Sequence, residues 1–137
     1  MSMASQEPIS PSPAPAPLRG RRVLVVEDEP FIALNLVFGI EQEGGVALGP
    51  ATTVAEALRL IETELPDAAI VDVDLPDGTI EPVLQVLRPR VPVIVHTGVG
   101  LPDHLRQAHP DVEVCSKPTP PIDLVRRLRR GGMDEAY

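Results

Sequence analysis

Tryptophan is absent from the 137 residues, and there are only one tyrosine, two phenylalanines and one cysteine. One cysteine cannot close an internal disulfide or build a Cys-based zinc site, which excludes both kinds of scaffolding. No apolar run approaches the roughly 20 residues that cross a bilayer, and the N-terminus lacks the basic-then-apolar order of a signal peptide. A cytoplasmic domain without membrane contact is therefore expected. Positive charge is scarce as well, with 12 basic against 20 acidic residues and a formal charge of −8. Gripping a phosphate backbone takes many cationic contacts, so direct nucleic-acid binding is not expected. Arg126, Arg127, Arg129 and Arg130 fall at the end of the last predicted helix, where cations complement the helix dipole, and read as a solvated helix end. Lysine is scarcest of all, with Lys117 standing alone beside eleven arginines.

What is present describes an ordinary single-core chain, 43% hydrophobic and 23% charged. Residues 1–18 hold five of the 17 prolines and a single charge, Glu7, and read as an extended Pro-rich tail. The domain is expected over 19–131, with a C-terminal tail over 132–137. Within it, short apolar runs alternate with helical patterns. Val23–Val26, Ala47–Leu48, Ala69–Val73, Val91–Val95 and Val112–Cys115 are the expected strands. Phe31–Glu43, Val54–Glu64, Ile80–Leu87, a short Pro102–Ala108 and Ile122–Arg130 are the expected helices. Continuous apolar strands each followed by a helix predict a (βα)5, doubly wound parallel α/β sheet covered on both faces, in the order 2-1-3-4-5. The switch point of that order puts any site at the carboxyl ends of the first and third strands.

Those ends are acidic. The first strand runs into Glu27-Asp28-Glu29 before Pro30, and the third runs through Asp72 and Asp74 into Leu75-Pro76-Asp77-Gly78. Acidic residues after a strand often do no more than cap the next helix. Two such clusters at adjacent strand ends repel one another unless a cation neutralises them, and an all-oxygen set suits a hard divalent ion such as Mg²⁺. Lys117 follows the fifth strand, where a compact ammonium suits a tight phosphate site better than a guanidinium does. Thr97 adds a hydroxyl after the fourth strand. His96 precedes it and should face the opposite side of the sheet, against a helix. Cys115 reads as a small buried apolar residue.

With these residues in place the sequence resembles the bacterial response-regulator receiver domain from about Arg22 to Arg130. The likeness rests on Val23–Pro30, Val71–Gly78, Thr97-Gly98 and Lys117-Pro118, four motifs in order. It implies a flavodoxin-like fold and a phosphorelay role in signal transduction, with the domain accepting a phosphoryl group rather than acting as an enzyme. Asp72 is implied as the phosphoacceptor, with Mg²⁺ held by Glu27, Asp28, Asp72 and the backbone carbonyl of Asp74. Lys117 is implied to pair with the phosphoryl oxygens, Thr97 to bond one of them as the switch, and the Lys117–Pro118 peptide to be cis.

Departures from the family pattern are also visible. The second switch position, three residues before the lysine, is Val114 rather than an aromatic residue. The short stretch from Thr97 to Lys117, with Gly98, Gly100, Pro102 and Pro110, predicts a brief fourth helix. Val95–Gly100 looks like a degenerate form of the Phe-Ala-Thr-Gly motif of the FAT GUY subgroup, which works with HWE-type kinases, although Thr119 stands where phenylalanine often follows Lys-Pro.

The first predicted helix is apolar nearly all round, more than one buried face requires. Phe31, Ile32 and Leu36 are accordingly expected to dock a partner, a sensor histidine kinase or a histidine phosphotransfer protein. Self-association of this patch as a weak homodimer is the alternative to a monomer. The chain runs only about seven residues past the last helix, so output through protein contact is expected. Two other readings compete: a pseudo-receiver that binds without phosphorylation, and a Mg²⁺-dependent phosphatase suggested by Asp72-Val73-Asp74, whose nucleophile would belong on the first strand rather than the third.

Overall fold

β1 (Arg22–Val26) and β3 (Ala68–Val71) are built almost wholly from buried apolar residues, as strands covered on both faces must be. They pair in parallel, with Val26 opposite Val71. In this computed structural model the structure describes residues 18–130; all of the tail expected over 1–18 except its last residue, and the segment 131–137, lie outside the described residues. Leu18, assigned to the tail from sequence, belongs to the fold. It is fully buried, and its N–H donates to the Glu43 carbonyl at 2.8 Å.

The remaining elements follow in alternation. They are α1 (Pro30–Gln42), β2 (Val46–Ala51), α2 (Val54–Thr63), a two-residue hairpin β4 (Asp74–Leu75) and β5 (Gly78–Thr79), α3 (Glu81–Leu87), β6 (Val93–Thr97), α4 (Asp103–Ala108), β7 (Glu113–Ser116) and α5 (Pro121–Arg130). The main sheet is five-stranded and parallel in the order β2-β1-β3-β6-β7, which is the expected 2-1-3-4-5 once the small hairpin is set apart. Successive strand residues feed opposite cores. Val23, Val25, Ile70 and Ile94 pack with Leu36 and Ile40 of α1 and Leu124 and Leu128 of α5. Leu24, Val26, Val71 and Val95 pack with α2, α3 and α4. Each fully buried leucine or isoleucine contributes about 1.5–3 kcal/mol, and these two layers hold the strand ends in fixed positions.

β2 is longer than its sequence signal because the signal is interrupted. Gly49 has φ +99, and a Cβ there would lie 2.6 Å from the Ala51 nitrogen, so the strand is irregular where its register against β1 shifts. Helix α4 spans six residues, as brief as expected. Arg127 of the basic cluster is not simply solvated, since its guanidinium pairs with Glu113 on β7. Among the described residues no helix is long and apolar enough to cross a membrane.

Candidate functional site

Because β1 ends at Val26 and β3 at Val71, side by side, the next residues leave the sheet together at its carboxyl edge. The Asp72 N–H donates to the Val26 carbonyl at 2.9 Å, which locks the two strand ends. One carboxylate oxygen from each of Glu27, Asp28 and Asp72 lies within 4.8 Å of the others. Glu27 is buried, at 1% exposure, and Asp28 faces solvent. Lys117 arrives from the end of β7. Its Nζ donates to Asp72 Oδ2 at 2.9 Å and to Glu27 Oε2 at 3.2 Å, with a carboxylate oxygen of Glu29 at 3.8 Å. Asp72 Oδ1 accepts the Val73 N–H at 2.7 Å, which fixes the carboxylate plane.

Three clustered carboxylates against one ammonium leave an excess of negative charge, and burial makes that excess costly. Burial is the main reason the Glu27 carboxyl is held above its ordinary range, and the Asp72 charge adds to it, against the opposing pull of the Glu29 N–H and Lys117. Burial works to lower the Lys117 ammonium. Its hydrogen bonds to Asp72 and Glu27 outweigh that, leaving it above the usual lysine range and fully charged. The donor set fits Mg²⁺: three hard oxygen ligands from adjacent strand ends lie within 4.8 Å of one another.

The other expected residues stand at differing distances from this cluster. Thr97 ends β6 and is buried, and its carbonyl accepts the Lys117 N–H at 2.9 Å. Its hydroxyl is turned into its own loop, donating to the Gly100 carbonyl at 3.4 Å and accepting the Val99 N–H at 3.1 Å. Asp74 opens the hairpin two residues after Asp72 with its side chain exposed. The Lys117–Pro118 peptide is cis.

His96 lies on the far face of β6, as its place in the strand requires. Its Nε2 accepts the Thr119 N–H at 3.4 Å, so the neutral ring carries its proton on Nδ1, which is buried without a partner among the described residues. Burial, reinforced by the Lys117 charge, lowers the His96 pKa below its ordinary 6.5. A histidine lowered on folding contributes stability that is intact above 6.5 and is lost as the pH falls below that value, because the unfolded chain takes up the proton first. His96→Leu is therefore expected to reduce the fall in unfolding free energy between about pH 7 and pH 5, measured by urea unfolding across that range.

The partner face needs a correction. Leu36, expected to point outward, is 1% exposed and belongs to the core of α1, and Ile32 is half-buried. The outward stripe is Phe31, Leu34 and Phe38, with Phe31 82% and Phe38 62% exposed. The helix starts at Pro30, and its phase places positions 33, 36 and 40 inward. Ile32 and Leu36 instead form one wall of a groove of about 340 Å³, with His96, Lys117, Pro118 and Pro121 around it. Sequence reasoning also missed Asp77, whose carboxylate accepts the N–H groups of Val54 and Ala55 at 2.8 and 3.0 Å. Nothing in a separation of more than twenty residues signals that contact.

A parallel sheet in this order, with an acidic cluster and one lysine at its carboxyl edge beside the β1–β3 junction, defines a receiver domain. Residues 23–129 match the response regulator receiver domain family, and the chain belongs to it. Such domains are phosphoacceptor signalling modules rather than enzymes in the usual sense. They bind Mg²⁺ at an acidic pocket and are phosphorylated by histidine kinases or phosphotransfer proteins. The sequence is 35% identical over 91 residues to the transcriptional regulatory protein PdtaR of Mycobacterium tuberculosis, covering 64% of this chain and 44% of that protein. It is 33% identical over 125 residues to the transcriptional activator protein ExaE of Pseudomonas putida, covering 84% and 56%. The chain thus spans about half the length of these relatives. Among solved structures, a CheY-like receiver domain protein from Methanospirillum hungatei superposes with a TM-score of 0.73 at 28% identity, over 85% of this chain and 95% of that one. The response regulator PhyR from Brucella abortus superposes at 0.67 with 29% identity, over 88% and 52%.

Proposed function

We propose that this domain accepts a phosphoryl group on Asp72 from a phosphohistidine and passes the signal on through protein contacts in the cytoplasm. The observation that carries the reading is Lys117, the chain's one lysine, bonded at once to Asp72 and to Glu27 where two acidic strand ends meet. Asp72 Oδ1 is engaged by the Val73 N–H, which leaves Oδ2, the atom now paired with Lys117, as the attacking oxygen. Attack forms the new O–P bond as the N–P bond to the imidazole breaks, and the freed histidine leaves with the electron pair. Glu27, Asp28, Asp72 and the Asp74 carbonyl would hold Mg²⁺, which supplies charge neutralisation for the phosphoryl oxygens. Lys117 would follow the phosphoryl group, and the Thr97 hydroxyl would leave Gly100 to bond one of its oxygens, drawing the 97–100 loop inward.

With valine at 114, the switch runs through Thr97 alone. The partner docks on α1 through Phe31, Leu34 and Phe38 and against the adjoining groove, and the Val95–Gly98 motif supports an HWE-type kinase as the donor. Phe31→Ala combined with Phe38→Ala is expected to slow transfer from such a kinase about tenfold or more while labelling by a small acyl phosphate stays at the wild-type rate. An unchanged rate of kinase transfer would remove α1 from the docking surface.

A further inference from the structure

Asp77 sits at the tip of the β4–β5 hairpin, and both of its carboxylate oxygens are engaged. Oδ1 accepts the Val54 N–H at 2.8 Å and Oδ2 the Ala55 N–H at 3.0 Å, the first two amides of α2. Those two bonds hold the carboxyl below its ordinary range, so the contact is formed by the charged group at neutral pH.

Helix α2 is already capped without Asp77. The Thr53 hydroxyl accepts the Glu56 N–H at 3.1 Å, and the Glu56 carboxylate reaches back to the Thr52 N–H at 2.7 Å and the Thr52 hydroxyl at 3.0 Å. First-turn amides left over at an exposed helix end are satisfied by water. The hairpin has much less to hold it. Its ladder is two residue pairs, Asp74 with Thr79 and Leu75 with Gly78, and its tip is exposed. Val73, Leu75 and Ile80 are buried in the core and the Ile80 N–H bonds the Val73 carbonyl at 2.9 Å, so the bidentate bond to α2 is what fixes the exposed tip between them.

We propose that Asp77 is a positioning residue for the metal site: by tying the hairpin tip to α2 it steadies the exposed hairpin that carries the Asp74 carbonyl and so tunes the affinity of the site formed with Glu27, Asp28 and Asp72 for Mg²⁺. The inference rests on the reading of that cluster as a Mg²⁺ site. A ligand segment held in place before the ion arrives loses less freedom on binding, and groups that orient metal ligands are typically worth about 10- to 100-fold in affinity.

The test is calorimetric titration of MgCl₂ into the full chain, with folding of each variant confirmed by circular dichroism at the temperature used. Asp77→Ala is expected to bind Mg²⁺ about tenfold more weakly or worse, and Asp77→Asn, which keeps one acceptor, to fall between it and wild type. Thr53→Ala removes a cap from the same helix end without touching the hairpin and is expected to keep the wild-type affinity. Wild-type affinity in Asp77→Ala would overturn the proposal. An equal loss in Thr53→Ala would overturn it too, by assigning the effect to α2 itself. Should Asp77→Ala not fold, Asp77→Asn decides alone, its wild-type affinity counting against the proposal. Absence of Mg²⁺ binding in the wild-type chain would defeat the metal reading instead, which tells the two failures apart.

Discussion

Replacing Lys117 by methionine is expected to cost the metal-free domain about 3 kcal/mol of stability, measured by urea unfolding at pH 7. Methionine keeps most of the alkyl packing and removes the charge, leaving Glu27, 1% exposed, and Asp72 facing one another without a cation. Three kcal/mol is the low end for stripping one partner from a buried ion pair, because these carboxylates can relieve the repulsion by taking up a proton. The sign of the pH dependence follows. Glu27 is already held above its ordinary 4.5, and losing Lys117 removes two of the influences that lower it. A carboxyl raised on folding costs stability once the pH exceeds its unfolded value, so the deficit is greatest near neutrality and closes as the pH falls toward 4.5. Mg²⁺ should recover much of the loss, since the ion takes over the neutralising role, and Lys117→Met should bind it more tightly than wild type does. A stability loss that ignored both pH and Mg²⁺ would place the role of Lys117 in packing alone.

Asp72→Asn is expected to do the opposite: to abolish phosphoryl acceptance while leaving stability within about 1 kcal/mol of wild type. The asparagine oxygen can still accept the Val73 N–H, and Lys117 keeps Glu27 as its partner, so no buried charge is orphaned. The amide also removes a like charge that raises Glu27. What is lost is the nucleophilic oxygen, and neither Glu27, turned toward Lys117 and the Glu29 amide, nor exposed Asp28 stands in its place. Phosphotransfer from a kinase carrying radiolabelled phosphohistidine reads the first effect, and urea unfolding reads the second. Undiminished label on Asp72→Asn would move the acceptor elsewhere.

The two behaviours differ because the site is assembled from residues with unequal structural duties, and that inequality also governs how much of it could be read in advance. Glu27, Asp28 and Asp72 were legible because strand runs end where apolar residues stop, and the order of the sheet sets the first and third ends side by side. Lys117 was legible by its rarity. The sheet order and the doubly covered strands followed from continuous apolar runs such as Val23–Val26.

Position along α1 was not legible, since a helix apolar on every side offers no phase. Leu36 and Phe38 look alike in sequence, yet one lies under the sheet and the other in solvent. β2 was blurred for a different reason, with Gly49 and Pro50 breaking the run that would have marked it. The tail boundary misses one residue, Leu18, because a lone leucine after prolines carries no sign that it joins the core layer of α1 and α5. Contacts between distant loops, Asp77 with α2 and His96 with Thr119, depend on where whole elements sit and leave no trace in local pattern.

The claim on which the rest depends is that Asp72, with Mg²⁺ and Lys117, takes a phosphoryl group. Its most direct test is the intact mass of the wild-type chain after incubation with a small acyl phosphate, with Mg²⁺ and with a chelator, and with Asp72→Asn in parallel. One phosphoryl adduct is predicted for wild type with Mg²⁺, and none for the chelated sample or for Asp72→Asn. An adduct that forms without the metal or persists in Asp72→Asn would contradict the account, as would a folded, Mg²⁺-binding wild-type chain that takes no phosphoryl group from either the acyl phosphate or a phosphorylated kinase.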